Sequence, residues 1–87
     1  MYKIIILPSL SKKFDKLSKK SPVQMSRIAA KLEEIIQNPN HYKNLRSPMQ
    51  HLKRVHIDKS FVLIFSVDES TKTVILENYD HHDNIYE

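Results

Sequence analysis

The 87-residue sequence contains no cysteine, no glycine and no tryptophan, and two of these absences exclude whole classes of site. Without cysteine the chain has no disulfide framework, no cysteine-ligated metal site and no thiol nucleophile. Without glycine it cannot build the glycine-rich loops of Walker and Rossmann phosphate sites, so phosphate contacts must come from side chains or helix ends. Its apolar runs are too short for a membrane span or a signal-peptide core. We therefore expect a cytoplasmic protein with no membrane partner.

The charges are distributed unevenly along the chain, although the net charge is only +4. Residues 1–59 carry thirteen Lys or Arg and four acids, whereas residues 60–87 carry one Lys and six acids. A basic surface of this kind favours a polyanionic partner, most simply nucleic acid, and a solvated basic surface without a partner is the alternative. The length predicts one domain over residues 1–87, without a large internal cavity.

Hydrophobic spacing predicts one strand and two helices in the first half of the chain. The apolar run over residues 2–7 predicts a strand that is buried on both faces and central in its sheet. The spacing of Leu10, Phe14 and Leu17 predicts a surface helix, with Ser9 as its cap. A second helix is predicted from Ser21-Pro22 to Asn38-Pro39, since proline is favoured at the first helical position. The two helices would form a hairpin.

Three further strands are predicted at residues 52–57, 61–67 and 73–79, joined by short connections that favour antiparallel pairing. The order β-α-α-β-β-β predicts an α+β fold, with a small, mainly antiparallel sheet and a two-helix hairpin on one face. Residues 40–49 are expected to be a polar loop. The other face of the sheet would lie open, and we expect the functional residues there.

The strand at residues 52–57 places different chemistry on its two faces because side chains alternate. Arg54 and His56 share one face, opposite Lys53. This cationic face is a candidate catalytic surface, and the alternative is an edge strand that carries charge to prevent aggregation. Phe61, at the start of the next strand, belongs either to the core or to an exposed surface on which a base could stack.

The segment Asp80-His81-His82-Asp83-Asn84-Ile85-Tyr86 concentrates two imidazoles, two carboxylates and a phenol. It allows three interpretations: a metal site, a polar tail packed on the sheet, or an acid–base catalytic site, since histidine exchanges protons near neutral pH. RNA offers the clearest substrate for metal-free acid–base catalysis, because its 2′-hydroxyl is an internal nucleophile beside the scissile phosphate.

In order and spacing these motifs resemble the RelE/ParE superfamily of toxins, nearest to its archaeal RelE-like and YafQ-like branch. The resemblance covers essentially the whole chain and implies a RelE-like, microbial-RNase-like fold. It further implies a type II toxin that cuts mRNA in the ribosomal A site by 2′-hydroxyl attack, without metal or cofactor. The motifs that carry it are Asn38-Pro39, Leu45, Arg54-Val55-His56-Ile57, Phe61-Val62-Leu63-Ile64-Phe65 and His82-Asp83-Asn84-Ile85-Tyr86.

The resemblance also implies partners, namely the ribosome, mRNA and a RelB-like antitoxin that wraps the toxin, with a heterotetramer as one form of the complex. It implies that Arg54, His56, His82 and Tyr86 form the catalytic set, with His82 as general acid and Tyr86 stacking on or orienting the RNA. A wider set is expected to contact RNA, of which His81 has no secure match in the family: Lys43, Arg46, Lys53, Phe61 and His81.

The chain departs from the family pattern at two positions. Val62 stands where many RelE relatives have an arginine, and Ser60 stands where the YafQ-like pattern has an aspartate. The second departure removes the expected general base, whose role would then pass to His56, His81 or a neutral lysine. Two alternative functions are a ParE-like toxin directed at a topoisomerase and a catalytically degenerate RNA-binding module. Gyrase-directed relatives generally lack the C-terminal histidine and tyrosine, which favours the nuclease.

Overall fold

The computed structural model describes residues 1–85 and places two helices against one face of a four-stranded sheet. The strand order is β1-β4-β3-β2, with β1 parallel to β4 and the other neighbours antiparallel. The predicted α+β class and element order are confirmed, and a C-terminal helical turn is added. The elements are β1 (Lys3–Ile6), α1 (Pro8–Lys20), α2 (Pro22–Gln37), a 3₁₀ turn (Pro39–His41), β2 (Lys53–Ile57), β3 (Phe61–Asp68), β4 (Thr73–His81) and α3 (His82–Ile85).

The helical hairpin turns at a single residue, Ser21. Its backbone N–H donates to the carbonyl of Leu17 at 2.7 Å and ends α1, and the same residue precedes Pro22, where α2 begins. The φ of Ser21 is negative, at −147°, so the turn requires no glycine. The prediction of Ser9 as the cap of α1 is wrong. The helix begins one residue earlier, at Pro8, because the fixed φ of proline and its missing N–H suit the first helical position.

The main core lies between the helices and the sheet. The predicted apolar face of α1 is confirmed, since Leu10 and Phe14 are buried there, together with residues of α2. Burial of side chains of this size contributes about 1.5–3 kcal/mol each. The other buried members of this core come from α2 and from the three antiparallel strands: Ile28, Ile35, Val55, Ile57, Leu63, Phe65, Val74, Leu76 and Tyr79.

The first strand is at the edge of the sheet, and the prediction that it is central and buried on both faces is wrong. Ile5 is 52% exposed and Ile6 38% exposed. The reason is topological. The meander β2-β3-β4 uses both edges of β3 and leaves only the outer edges of β2 and β4, and β1 pairs at the outer edge of β4. The longer strands β3 and β4 therefore occupy the centre.

Two turns use left-handed residues in a chain without glycine. Asp58, between β2 and β3, has φ of 65°, and Lys72, between β3 and β4, has φ of 52°. A residue with a Cβ in this conformation costs roughly 1–2 kcal/mol. Asp58 is also tied to the second helix, since Arg27 Nη1 donates to its Oδ2 at 2.5 Å.

We expect the turn at Lys72 to respond to the shape of its side chain. Lys72→Val adds a β-branch at positive φ, whereas Lys72→Gly removes the crowded Cβ, and both variants lose the same ion pair with Glu69. The valine variant should be about 1–2 kcal/mol less stable than the glycine variant. Urea denaturation followed by circular dichroism measures this difference, and equal stabilities would contradict the argument.

Candidate functional site

The face of the sheet opposite the helices is partly covered, whereas the sequence predicted an open face. Leu52, Val62 and Ile64 are buried there in a second, smaller core, and Leu45 and Ile85 pack against them. The covering residues come from the segment before β2 and from α3. What remains open is a groove of about 560 Å³ between these two segments.

The groove brings together four cationic or titratable side chains. Arg54 and His56 reach it from β2, His82 from α3 and Arg46 from the preceding loop. Its remaining lining is apolar or small: Leu45, Ser47, Pro48, Met49 and Ile85.

Strand alternation directs Arg54 and His56 into the groove. Their neighbours Val55 and Ile57 are buried in the main core, and this fixes which face of β2 turns towards the helices. Arg54 lies opposite Ile64 and His56 lies opposite Val62 in the register with β3. The two groove residues therefore stand beside the second core.

A backbone hydrogen bond fixes the position of His82. Its N–H donates to the carbonyl of Ser60 at 2.7 Å, which fixes the first residue of α3 to the start of β3. The His82 ring stacks on the ring of His56, with centroids 5.9 Å apart and planes 26° apart. Two imidazoles from segments distant in the sequence thus share one groove.

Asp80 fixes the turn from β4 into α3. Its Oδ1 accepts hydrogen bonds from Asn84 Nδ2 at 3.0 Å and from the N–H of His81 at 2.7 Å, and Lys13 Nζ lies 3.8 Å from its Oδ2. The Asn84 hydrogen bond above all, followed by the His81 backbone hydrogen bond, lowers the pKa of Asp80 below its ordinary value. Near neutral pH, the charged carboxylate holds the helical turn that carries His82.

Three of the predicted RNA-binding residues lie on the helix-side face, away from the groove. Phe61 stacks on Tyr79 at 5.4 Å and contacts His81 edge-on at 5.6 Å. Lys53 donates to Asn44 Oδ1 at 2.7 Å. The structure does not bring Lys53, Phe61 and His81 together with the groove residues.

The other predicted site residues have different locations. Lys43 is exposed and its carbonyl accepts the N–H of Arg54 at 3.1 Å, but its side chain does not line the groove. Arg46 does line it. Tyr86 lies outside the described residues.

One wall of the groove is formed by the loop before β2, and this wall was not predicted from the sequence. Residues 44 and 53 form a β-bridge, and Leu45 and Leu52 are joined by a backbone hydrogen bond of 2.8 Å, so the loop extends the sheet beyond β2. A turn from Arg46 to Met49 closes it, with a hydrogen bond of 2.9 Å. The available signal was the presence of Leu45 and Met49 in an otherwise polar segment.

The described part of the chain offers no clustered metal ligands. Within residues 1–85, no three His, Asp or Glu side chains lie close enough together to hold an ion. Across the same residues, no helix has the length and apolar character needed to cross a bilayer.

The groove suits an anionic substrate that reacts by proton transfer. Arginine pairs with phosphate oxygens and stabilises negative charge that develops in a transition state. Imidazoles can take and give protons near neutral pH. Arg54, His56 and His82 therefore form a set that could bind a phosphodiester and assist its cleavage.

Comparison with known proteins identifies two close relatives, although no family model matches the sequence. A candidate toxin, RelE4, of Methanocaldococcus jannaschii is 62% identical over 86 residues, which are 99% of this chain and 92% of that protein. An uncharacterised protein of Methanosarcina mazei is 58% identical over 86 residues, which are 99% of this chain and 100% of that protein.

Solved structures share the fold at low sequence identity. The YoeB/ParE toxin from Agrobacterium tumefaciens has a TM-score of 0.82 at 12% identity, over 92% of this chain and 98% of that one. The toxin–antitoxin complex RelBE2 from Mycobacterium tuberculosis has a TM-score of 0.78 at 17% identity, over 93% of this chain and 98% of that one. YafQ from Escherichia coli gives 0.75 at 18% identity, over the full length of both chains.

The hydrogen bond between Asn84 and Asp80 can be tested by titration. We expect Asn84→Ala to raise the pKa of Asp80 towards its ordinary value, because the variant removes the largest cause of the low pKa. Carboxyl ¹³C NMR measures this change. Asp68 is an internal control, since the Ser70 hydroxyl is the main cause of its low pKa. An unchanged Asp80 pKa would refute the assignment.

The same variant should change how stability depends on pH. The pKa of Asp80 is lower in the folded state, so its stabilising contribution is present above the unfolded pKa of about 3.9 and is lost as pH falls through the folded pKa. Asn84→Ala should therefore lose less stability than the parent over this acid range. Urea denaturation at a series of acidic pH values would measure the free energy of unfolding of the parent and of the variant. If both lose the same stability as pH falls, the contribution assigned to Asp80 is wrong.

Proposed function

The chain belongs to the RelE family of toxins, as the 62% identity of RelE4 over 99% of its length shows, and from this premise we propose that it is a ribosome-dependent mRNA endonuclease. The observation that carries the proposal is the convergence of Arg54, His56 and His82 in one groove. A gyrase-directed or purely RNA-binding protein would not need a paired set of imidazoles beside an arginine.

The reaction proposed for the groove is transfer of the phosphoryl group to the neighbouring 2′-hydroxyl. A base takes the 2′-hydroxyl proton while the 2′ oxygen attacks phosphorus. The bond from phosphorus to the 5′ oxygen breaks, and an acid protonates that oxygen, which leaves a 2′,3′-cyclic phosphate and a 5′-hydroxyl. Arg54 neutralises the charge that develops on the phosphate oxygens.

The two histidines supply the proton transfers. His82 acts as general acid, as the family resemblance implies. His56 acts as general base, because Ser60 occupies the position of the expected aspartate and His56 is the imidazole stacked on His82. The ring separation of 5.9 Å keeps both within reach of one phosphodiester. Tyr86, outside the described residues, is assigned to orienting the RNA.

We further propose an antitoxin partner of the RelB type, by analogy with the RelBE2 complex of Mycobacterium tuberculosis. The free toxin exposes apolar side chains that a partner could cover, including Val23 on α2, which is 64% exposed. An antitoxin helix on the helical hairpin could also reach the basic surface and mask it. Two toxins and two antitoxins in a heterotetramer would be one arrangement.

The nuclease proposal predicts cuts on translated mRNA that depend on the groove. In a purified translation system, primer extension should detect new cuts at A-site codons when the protein is added. His82→Ala and Arg54→Ala should each slow cutting by about 10²–10⁴-fold, the usual contribution of a positioned acid–base or charge-stabilising group. His41→Ala is the matched control, since His41 is an exposed histidine that contacts Tyr42 outside the groove.

Three outcomes would overturn the proposal. Cutting that survives both groove substitutions would remove these side chains from the reaction. Intact mRNA with inhibition of DNA gyrase would select a ParE-like toxin, and salt-sensitive RNA binding without any cutting would select an RNA-binding module.

A further inference from the structure

The two walls of the groove differ in chemistry. One wall, from β2 and α3, carries Arg54, His56 and His82. The other wall is the turn at residues 46–49, where Arg46 is followed by Ser47, Pro48 and Met49. Met49 in that turn is 47% exposed although it lines the groove, and it is not part of the second core. The groove thus pairs a cationic wall with an accessible apolar side chain.

The turn at residues 46–49 is a fixed part of the sheet edge. Met49 makes two backbone hydrogen bonds, one to the carbonyl of Arg46 at 2.9 Å and one from the N–H of Leu52 at 3.0 Å. Asn44 Nδ2 also donates to the carbonyl of Gln50, next to the turn. Leu52 is buried in the second core, so its hydrogen bond to Met49 connects the turn to that core.

A nucleotide combines the features that the two walls can recognise. Its phosphate is anionic and suits Arg54, and its base is a flat ring with apolar faces and a polar edge. A methionine side chain is polarisable and packs well against aromatic rings. Pro48 adds apolar surface beside it, and the Ser47 hydroxyl can donate and accept hydrogen bonds.

We propose that the turn at residues 46–49 is the nucleobase-binding wall of the groove. Met49 packs on the face of the base whose phosphate lies at Arg54, and Ser47 lies at the polar edge of that base. This inference rests on the proposed function, because it takes the ligand of the groove to be RNA. It assigns sequence preference to a segment that carries no catalytic group.

The three methionines of the chain make a direct test possible. Protein labelled with ¹³C at the methionine methyl groups is titrated with nucleoside 3′-monophosphates and, separately, with inorganic phosphate. The ring current of a stacked base should shift the Met49 methyl upfield in a saturable way with the nucleotides and not with phosphate. Met1, which is 87% exposed on the β1 side, and Met25 of α2, which packs on the main core, serve as internal controls.

A second measurement tests the role in sequence preference. Met49→Ala should change the distribution of cuts among codons by several-fold in primer extension, whereas Met49→Leu should largely preserve it. Ile5→Ala is the control, since Ile5 is an exposed apolar residue of β1. If Met49→Leu preserves the distribution of cuts, the change in Met49→Ala comes from lost packing on the base and not from damage to the fold.

The outcomes distinguish this inference from the proposed function. A Met49 methyl that does not move, or that moves equally with inorganic phosphate, overturns the base-binding wall even if mRNA is cut. A nucleotide-specific shift without mRNA cutting supports the wall and overturns the nuclease. An unchanged cut distribution in Met49→Ala also counts against the wall.

Discussion

The burial of β3 on both faces is the constraint on which the rest of the structure depends. Leu63 and Phe65 point towards the helices and Val62 and Ile64 point the other way, and all four are buried. A two-layer arrangement of helices on a sheet would cover only the first pair. The second pair requires its own cover, which the loop before β2 and α3 supply. These covering segments are also the walls of the groove, so the site exists because residues 62–65 of β3 are apolar on both faces.

The parts of the site that could be predicted are those fixed by local periodicity. Alternation along β2 separates Arg54 and His56 from Lys53, and the antiparallel meander brings the end of β4, and hence His82, close to them. The same alternation in register places Phe61 with Tyr79 on the helix side.

The parts that could not be predicted depend on single residues or on topology. Leu45 is an isolated apolar residue in a polar loop, and one residue defines no period, so its role in the second core was not predicted. The packing of Ile85 on the sheet was one of the interpretations of the C-terminal segment, and the structure shows it against the second core. The position of β1 depended on which strand edges remained free, and an apolar run has the same composition at an edge as at the centre. The family resemblance predicted the order of elements but did not indicate which face the loop covers.

The two departures from the family pattern have different structural consequences. Val62 is fully buried in the second core, where an arginine would bring a charge into an apolar environment at a cost of several kcal/mol. In this chain the residue at position 62 therefore packs in the second core. Ser60, by contrast, holds His82 through its carbonyl, a contact that any side chain at that position allows. The missing carboxylate thus leaves the placement of His82 intact, and in the proposed reaction the acid–base roles fall to the stacked pair of imidazoles.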